Sequence, residues 1–339
     1  MTAVAVVIPY FQRRAGILRR ALASLLGQNL PTGIRVDILL IDDGSPIPAS
    51  AEIEGLAFAP PFHLKLVEQC NAGVGAARNT ALNLLSPVTD YIAFLDSDDY
   101  WHPDYLATAL LALGQGNDFF FSDSQRVGDT HTSYSENHFA DEFIINHGTS
   151  IGGDLYQLHP IALFDESLRK RSFRIPSTVY RRGVAPELLF DTNLRVAGED
   201  CLFFFQLLGR CRKICCSTRL LATFGDGVNI HAGKFGWDDP GHLIKHMGQL
   251  FAYYTWREKL SLSTANNLFV LGRIRRMRAL FAFFTVRYFL KKREPWPDEL
   301  RKLVQSDHTF LWWYPAYCAY VAVCFPLRLF DPLRDPDFP

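Results

Sequence analysis

The chain has 339 residues, enough for one large α/β domain with an appendage or for two domains, and its 48% hydrophobic and 14% aromatic content supports a sizeable core. Its 35 Lys and Arg balance 35 Asp and Glu, and a net charge of zero argues against nucleic acid as a partner held by phosphate contacts. Cys70, Cys201, Cys211, Cys215, Cys216, Cys318 and Cys324 are odd in number and lack paired C-x-x-C spacing, so they read as reduced thiols in a cytoplasmic protein.

MTAVAVVIPY at the N-terminus has no basic stretch and runs directly into a strand pattern, so no secretory signal is expected. VAVVIP (4–9) precedes the amphipathic ILRRALASLLGQ (17–28), and VDILLID (36–42) and HLKLVEQ (63–69) follow. GAARNTALNLL (75–85), YIAFLD (91–96), PDYLATALLAL (103–113) and DFFFSD (118–123) complete the alternation. Strands alternating with helices predict a mostly parallel sheet covered on both faces. Ligands of such sheets sit beyond the carboxyl ends of the strands. Those ends carry Pro9 and Tyr10, Asp42 and Asp43, Asn71, and Asp96 with Asp98.

From about 124 to 160 the composition is that of a polar loop, and His131, His138, His147 and His159 fit no metal-binding spacing. Residues 161–224 are again apolar α/β sequence, with GEDCLFFFQLL (198–208) and KICCSTRLLATF (213–224). The last third differs. Between Leu268 and Arg293 there are eight Arg or Lys and no acid, interleaved with Phe269, Phe281, Phe283, Phe284 and Phe289. That pattern predicts a basic amphipathic helix lying on an anionic membrane surface. Residues 309–327 are nineteen uncharged positions, borderline for a span; Pro315 and Pro326 disfavour a straight one, and Trp312 and Trp313 suit an interfacial belt. The competing reading is a helical cap packed on the core.

Two motifs carry chemistry. NAGVGAARN (71–79) reads G-x-G-x-x-R, follows the third strand and has no ribose-binding acid twenty residues on, so a dinucleotide fingerprint is excluded. What remains is a glycine turn opening a helix with Arg78 one turn in, and amides with a guanidinium suit a diphosphate. In FLDSDDYWHPDYL (94–106), Asp96, Asp98 and Asp99 crowd together where a hydrophobic strand surfaces. Like charges so close raise one another's pKa unless a cation neutralises them. Either they cap and solvate the following turn, or they form a divalent metal site.

VVIPYFQRRAGILRRALASLLGQ, DILLIDDGSP, NAGVGAARNTAL, YIAFLDSDDYWHPDYL and AGEDCLFFFQLL together resemble, in content and order, the inverting family 2 glycosyltransferases of the GT-A, Rossmann-like nucleotide-diphospho-sugar transferase fold. The resemblance covers roughly residues 3–232. It implies that Pro9 and Tyr10 flank the nucleoside, that Asp43 binds base or ribose while Asp42 shapes the turn, and that Asn71 and Arg78 contact the nucleotide or its phosphates. It makes DSD a D-x-D motif, with Asp98 on Mn²⁺ or Mg²⁺ and Asp96 on the sugar, the ribose or the metal shell. Asp200 would be the catalytic base, with Glu199 a supporting or acceptor-binding neighbour. His231 would lie near the metal or diphosphate. Ser177 and Arg181 would line the acceptor side. Hard carboxylate oxygens suit such cations, which act as Lewis acid and template for a departing diphosphate. At Asp200 a helix start favours the ionised form while the adjacent CLFFF opposes it.

The expected organisation is a nucleotide-sugar-binding half over 1–124, an acceptor-binding and catalytic half over 125–235, and a membrane-associating helical region over 236–339. The expected donor is a UDP-sugar and the expected acceptor a glycan, lipid-linked, at the cytoplasmic face of the cell membrane. Two alternatives stand beside this: a non-catalytic carbohydrate- or nucleotide-binding protein that keeps the fold, and a sugar nucleotidyltransferase. The latter usually has a glycine-rich basic loop after its first strand, where PYFQRRAG has only Gly16.

Overall fold

The structure is a computed structural model that describes residues 1–170, 172–225, 241–292, 295–296, 298–327 and 329–332. The chain divides into two compact units, Met1–Thr192 with Phe203–Val228, and Asn193–Leu202 with Asn229–Pro339.

The first unit is built on a ten-stranded sheet: β1 Thr2–Tyr10, β2 Ile34–Asp42, β3 Phe62–Glu68, β4 Tyr91–Phe94, β5 Tyr100–Trp101, β6 Phe119–Arg126, β7 Gly148–Gly152, β8 Leu155–Leu158, β9 Thr178–Arg181 and β10 Ile214–Phe224. Its order is β3-β2-β1-β4-β9-β6-β10-β8-β7, with β5 paired to β10. β3, β2, β1 and β4 are parallel, as the alternating pattern predicts. β6 also runs parallel to β10, whereas β9 is antiparallel to both β4 and β6. The polar stretch after 124 is not all loop. It contains β7 and β8, an antiparallel hairpin too short and too Gly- and Ser-rich to stand out by composition.

The continuous apolar runs follow from burial on both faces. Val4, Val6 and Ile8 join the core beneath the helices Ile17–Leu26 and Tyr105–Gly114, while Val7, Ile41 and Phe94 join the opposite core with Ala77 and Ala81 of the helix Val74–Asn83. The second core is closed by aromatics: Phe203 stacks on Phe190 at 4.1 Å and meets Phe94 edge-on at 5.7 Å.

The second unit is helical, with Gly241–Lys259, Thr264–Lys292, Asp298–Ser306 and Phe310–Cys324. Of its phenylalanines the long basic helix presents Phe289 to a surface, at 44% exposed, and turns most of the others inward. Phe281, Phe283 and Phe284 are buried among neighbouring aromatics, and Phe281 packs edge-on against Phe310 and Trp313. Several of its arginines turn inward too. Arg273 donates to the Tyr253 hydroxyl at 3.2 Å, and Arg278 donates to that of Tyr254 at 2.8 Å while stacking over Trp313. Sequence spacing counts charges but cannot tell a solvated arginine from one satisfied by a buried phenol. No helix among the described residues is long and apolar enough to cross a membrane. The fifteen-residue Phe310–Cys324 helix is about 22 Å long at 1.5 Å per residue, short of the ~30 Å hydrocarbon layer.

In this unit the segment Asn193–Leu202 lies against the helix Gly241–Lys259 through glycines. Gly198, at φ 83°, leaves no room for a Cβ, which would fall 2.6 Å from the Ala252 methyl. Gly248 is equally tight against Val196, and the Trp256 indole donates to the Gly198 carbonyl at 3.4 Å.

Candidate active site

The parallel strands bring three polar ends side by side at one rim of the sheet: Tyr10 of β1, Asp42 and Asp43 after β2, and Asp96–Asp99 after β4. Asp42 is buried and caps the following turn, accepting from the Ser45 and Ala49 amides at 2.8 Å each. Asp43 is buried as well. Its Oδ1 accepts from Gln69 Nε2 at 2.7 Å and the Ala72 amide at 2.8 Å, its Oδ2 from the Gly73 amide at 2.8 Å, and its carbonyl from Asn71 Nδ2 at 2.9 Å. A Cβ on Gly44, at φ 69°, would come within 3.0 Å of the Asn71 amide, so the two turns touch.

This bears on the diphosphate reading of the glycine segment. The Ala72 and Gly73 amides are taken by Asp43, and Arg78 is turned away from the surface. Arg78 is 2% exposed, its Nη2 donates to both Asp96 oxygens at 2.8 and 3.1 Å, and its plane lies 5.2 Å from the Phe190 ring. The two amides before the helix and the Arg78 Nη2 are thus engaged inside the protein. Arg78 reaches the rim through Asp96, which it orients and neutralises.

The turn after β4 is clamped from several sides. The Asp99 amide donates to the Asp96 carbonyl at 3.0 Å, and the buried Ser97 hydroxyl accepts from Gln12 Nε2 at 3.1 Å. Arg20 donates to the Asp98 carbonyl at 2.8 Å and stacks over Tyr100 at 4.9 Å. Asp99 is buried, and its Oδ1 accepts from the Gly225 amide at 2.7 Å. Burial pushes the Asp99 carboxyl well above the usual carboxylate range, and the adjacent Asp96 and Asp98 add to this. Gly225 presses so closely on the Asp98 carbonyl that a Cβ there would sit 2.1 Å from it. Tyr10 and Pro9 lie beneath the rim, fully buried, and burial with Glu52 nearby raises the Tyr10 phenol to about 12. The half-buried ring at the end of β1 is Phe11.

Two acceptor-side expectations are corrected. Ser177 is fully buried, and its hydroxyl both donates to the Arg174 carbonyl at 2.8 Å and accepts from the Arg174 amide at 3.2 Å, a turn lock with no face to a ligand. Arg181 is at the wrong end of the sheet. Because β9 is antiparallel, Arg181 pairs with Tyr91 at the start of β4, roughly 16 Å along the strand from Asp96, and donates to the Leu113 carbonyl at 2.8 Å. Glu199 and Asp200 open the helix Glu199–Leu208, and Asp200 accepts from the Cys201 amide at 2.7 Å. They belong to the second unit, on the segment that packs against Gly241–Lys259. His231 lies outside the described residues.

Gln12, Arg20 and Gly225 carried no signal in the sequence. Gln12 ties the β1 end both to Ser97 and to the Ser45 turn, whose hydroxyl accepts from its amide at 2.6 Å. Gly225 lies 126 residues from Asp99, a pairing only the fold creates.

Among the described residues no three His, Cys, Asp or Glu side chains form a ready metal cage. The residues do fit a cation of another kind. Asp96 and Asp98 offer hard oxygens at a partly exposed rim, beside the buried Asp99, whose carboxyl is raised by burial and by their charge. Mg²⁺ and Mn²⁺ commonly take one or two carboxylates and complete their shell with substrate phosphates and water.

The family described as Glycosyl transferase family 2 matches residues 5–174. Succinoglycan biosynthesis protein ExoW of Rhizobium meliloti is 31% identical over 318 residues, covering 92% of this chain and 93% of that protein. Among solved structures, S. aureus TarS 1–349 in complex with UDP-GlcNAc superposes with a TM-score of 0.57 at 16% identity, over 97% of this chain and 93% of that one. The mannosyltransferase PcManGT from Pyrobaculum calidifontis, in complex with GDP-Man and Mn²⁺, gives 0.51 at 14%, over 95% and 86%. At such identities the likeness is one of fold.

Proposed function

This chain belongs to glycosyl transferase family 2, and from that premise we propose that it is a metal-dependent, inverting transferase of polysaccharide biosynthesis, moving a sugar from a UDP-sugar to a glycan hydroxyl. The observation that supports the reading is the β4 turn, where Asp96 and Asp98 offer partly exposed carboxylates beside the buried Asp99, whose carboxyl is raised by burial and then by their charge. ExoW is named for succinoglycan biosynthesis, which supports a role in polysaccharide assembly, and TarS, solved with UDP-GlcNAc, is the ground for proposing a uridine-activated donor.

In this reading Asp98, with Asp96 beside it, holds Mn²⁺ or Mg²⁺. When bound, the cation neutralises charge on the departing diphosphate. Arg78 fixes the Asp96 carboxylate, and Arg20 and Gly225 fix the backbone of the turn. Phe11 offers the nucleoside a partly exposed ring, and Asp43 with Asn71 shapes the neighbouring turn. Asp200 takes the proton of the acceptor hydroxyl, whose oxygen attacks the anomeric carbon opposite the nucleotide. The bond from that carbon to the diphosphate oxygen breaks, UDP leaves, and an α-linked donor yields a β-glycoside. Orientation of the two substrates supplies much of the acceleration. Glu199 supports the acceptor, and His231 stands near the diphosphate.

The acceptor in this reading is a lipid-linked glycan, and the enzyme is peripheral on the inner face of the cell membrane through its C-terminal unit. The test is a donor screen by nucleotide release with Mn²⁺ present. Release of UDP that disappears in Asp98→Ala supports the reading. Release of pyrophosphate, or equal turnover in that variant, refutes it.

A further inference from the structure

Charge is distributed unequally along this neutral chain: the second unit, Asn193–Leu202 with Asn229–Pro339, holds seventeen Lys and Arg against twelve Asp and Glu, a formal +5. Within that unit the helix Phe310–Cys324 has no charged residue on any face. Its inward positions Phe310, Trp313 and Val321 are buried. Its outward positions are apolar too. Leu311 is 83% and Trp312 86% exposed, and Tyr320 and Val323 continue the exposed strip, which Phe325 and Leu327 extend beyond the helix end. A helix apolar all round is normally covered on all sides. A contiguous apolar strip on a protein surface marks an interaction site.

We propose that this strip seats on an anionic lipid surface, the helix lying in the membrane plane with Leu311, Trp312 and Val323 entering the boundary between headgroups and acyl chains. The proposal rests on the reading above that the second unit works at a membrane, and names the face that does so. Three observations select this occupant. The helix is too short to span, so it lies flat. The unit carries a net positive charge, which favours anionic headgroups and sets two copies against each other by like-charge repulsion. Trp312 lies at the helix start, directly after a helix carrying the exposed Arg301 and Lys302, and an indole beside basic residues suits the headgroup layer. In the basic helix Thr264–Lys292, which the composition favoured for this task, Phe281, Phe283, Phe284 and Tyr288 are in the core and Phe289 is exposed.

The experiment is co-sedimentation of the full chain with phosphatidylcholine vesicles, with and without phosphatidylglycerol. Wild-type protein partitions onto the phosphatidylglycerol vesicles. Trp312→Glu with Val323→Glu lowers the partition coefficient at least about 100-fold, the scale of removing two buried apolar side chains. Arg301→Glu with Lys302→Glu lowers it about fivefold per residue on anionic vesicles only. All four positions are exposed, so UDP-sugar hydrolysis in solution stays at the wild-type level. Binding that persists undiminished in Trp312→Glu/Val323→Glu overturns the choice of face and leaves the membrane reading standing. A wild-type protein that binds neither vesicle overturns both. If it also sediments as a dimer that the same variant splits, a second copy covers the strip.

Discussion

The segment bearing Asp200 is held by a glycine contact, and one methyl tests how much that placement matters. Gly248 lies buried inside the helix Gly241–Lys259, and a Cβ there would meet Val196 Cγ1 at 2.4 Å and Cβ at 2.6 Å. Ordinary carbon contact is about 3.5 Å, so Gly248→Ala must displace Val196, and the Asn193–Leu202 segment with it, by about 1 Å. Overpacking of this kind costs about 1–3 kcal/mol, against which alanine recovers up to about 1 kcal/mol of helix propensity. Net destabilisation is therefore on the order of 1 kcal/mol, and the protein stays folded. A 1 Å misplacement of a catalytic group costs on the order of 100-fold in rate. Transfer assayed by UDP release with saturating donor and acceptor should show kcat down 10- to 100-fold by that scale, with the donor KM unchanged because Phe11, Asp96 and Asp98, proposed to hold the donor, belong to the first unit. Val196→Ala in the same background removes the 2.4 Å contact but leaves the one at 2.6 Å, so it rescues in part. A stable Gly248→Ala protein with kcat within about twofold of wild type would refute the reasoning.

Asp200→Asn should retain donor binding by calorimetry and lose transfer by at least about 100-fold, the lower range for a general base; near wild-type turnover means another base acts. Arg20→Ala removes the donor to the Asp98 carbonyl and should weaken Mn²⁺-dependent donor binding by at most several-fold, up to about 1 kcal/mol for an exposed contact, with Arg20→Lys intermediate. Arg181→Ala should lower stability by about 1 kcal/mol in urea and leave the acceptor KM unchanged, because Arg181 serves the far end of the sheet. His246 gives the pH dependence. Burial, then Lys245 and His242 and more weakly Arg276, lowers its pKa to about 3, while a hydrogen bond with Gln249 works the other way. Folded protein keeps it neutral, whereas the unfolded chain protonates it below about pH 6.5. Its stabilising contribution is complete above that value and is lost as pH falls toward 3, by roughly 2 kcal/mol between pH 6.5 and 5. Urea unfolding of wild type and His246→Phe at both pH values checks this; equal pH slopes contradict it.

The strand ends were readable from the sequence because each closes an apolar run with a turn-forming or acidic residue, and parallel β/α alternation puts such ends on one rim. The direction of β9 was not readable. A four-residue apolar strand looks the same in either direction, and antiparallel pairing carried Arg181 away from the rim. The sequence marks Arg78 as a candidate, but whether a guanidinium meets a ligand or a neighbouring carboxylate depends on burial beside Asp96 and Phe190. The same limit applied to the arginines of the long C-terminal helix, several of which are satisfied by tyrosines and a tryptophan brought close by folding. Gln12, Arg20 and Gly225 act through backbone and side-chain contacts spanning tens of residues or more, which no local pattern encodes.

Manganese titration followed by electron paramagnetic resonance, with and without UDP, in wild-type protein and Asp98→Ala, tests the central claim most directly. Wild type should bind Mn²⁺ tightly only with UDP present, and Asp98→Ala should lose at least the 10- to 100-fold typical of disturbing even an outer partner of a metal site. Equal Mn²⁺ affinity in the two proteins, or UDP-sugar turnover that persists in excess chelator, would contradict the account.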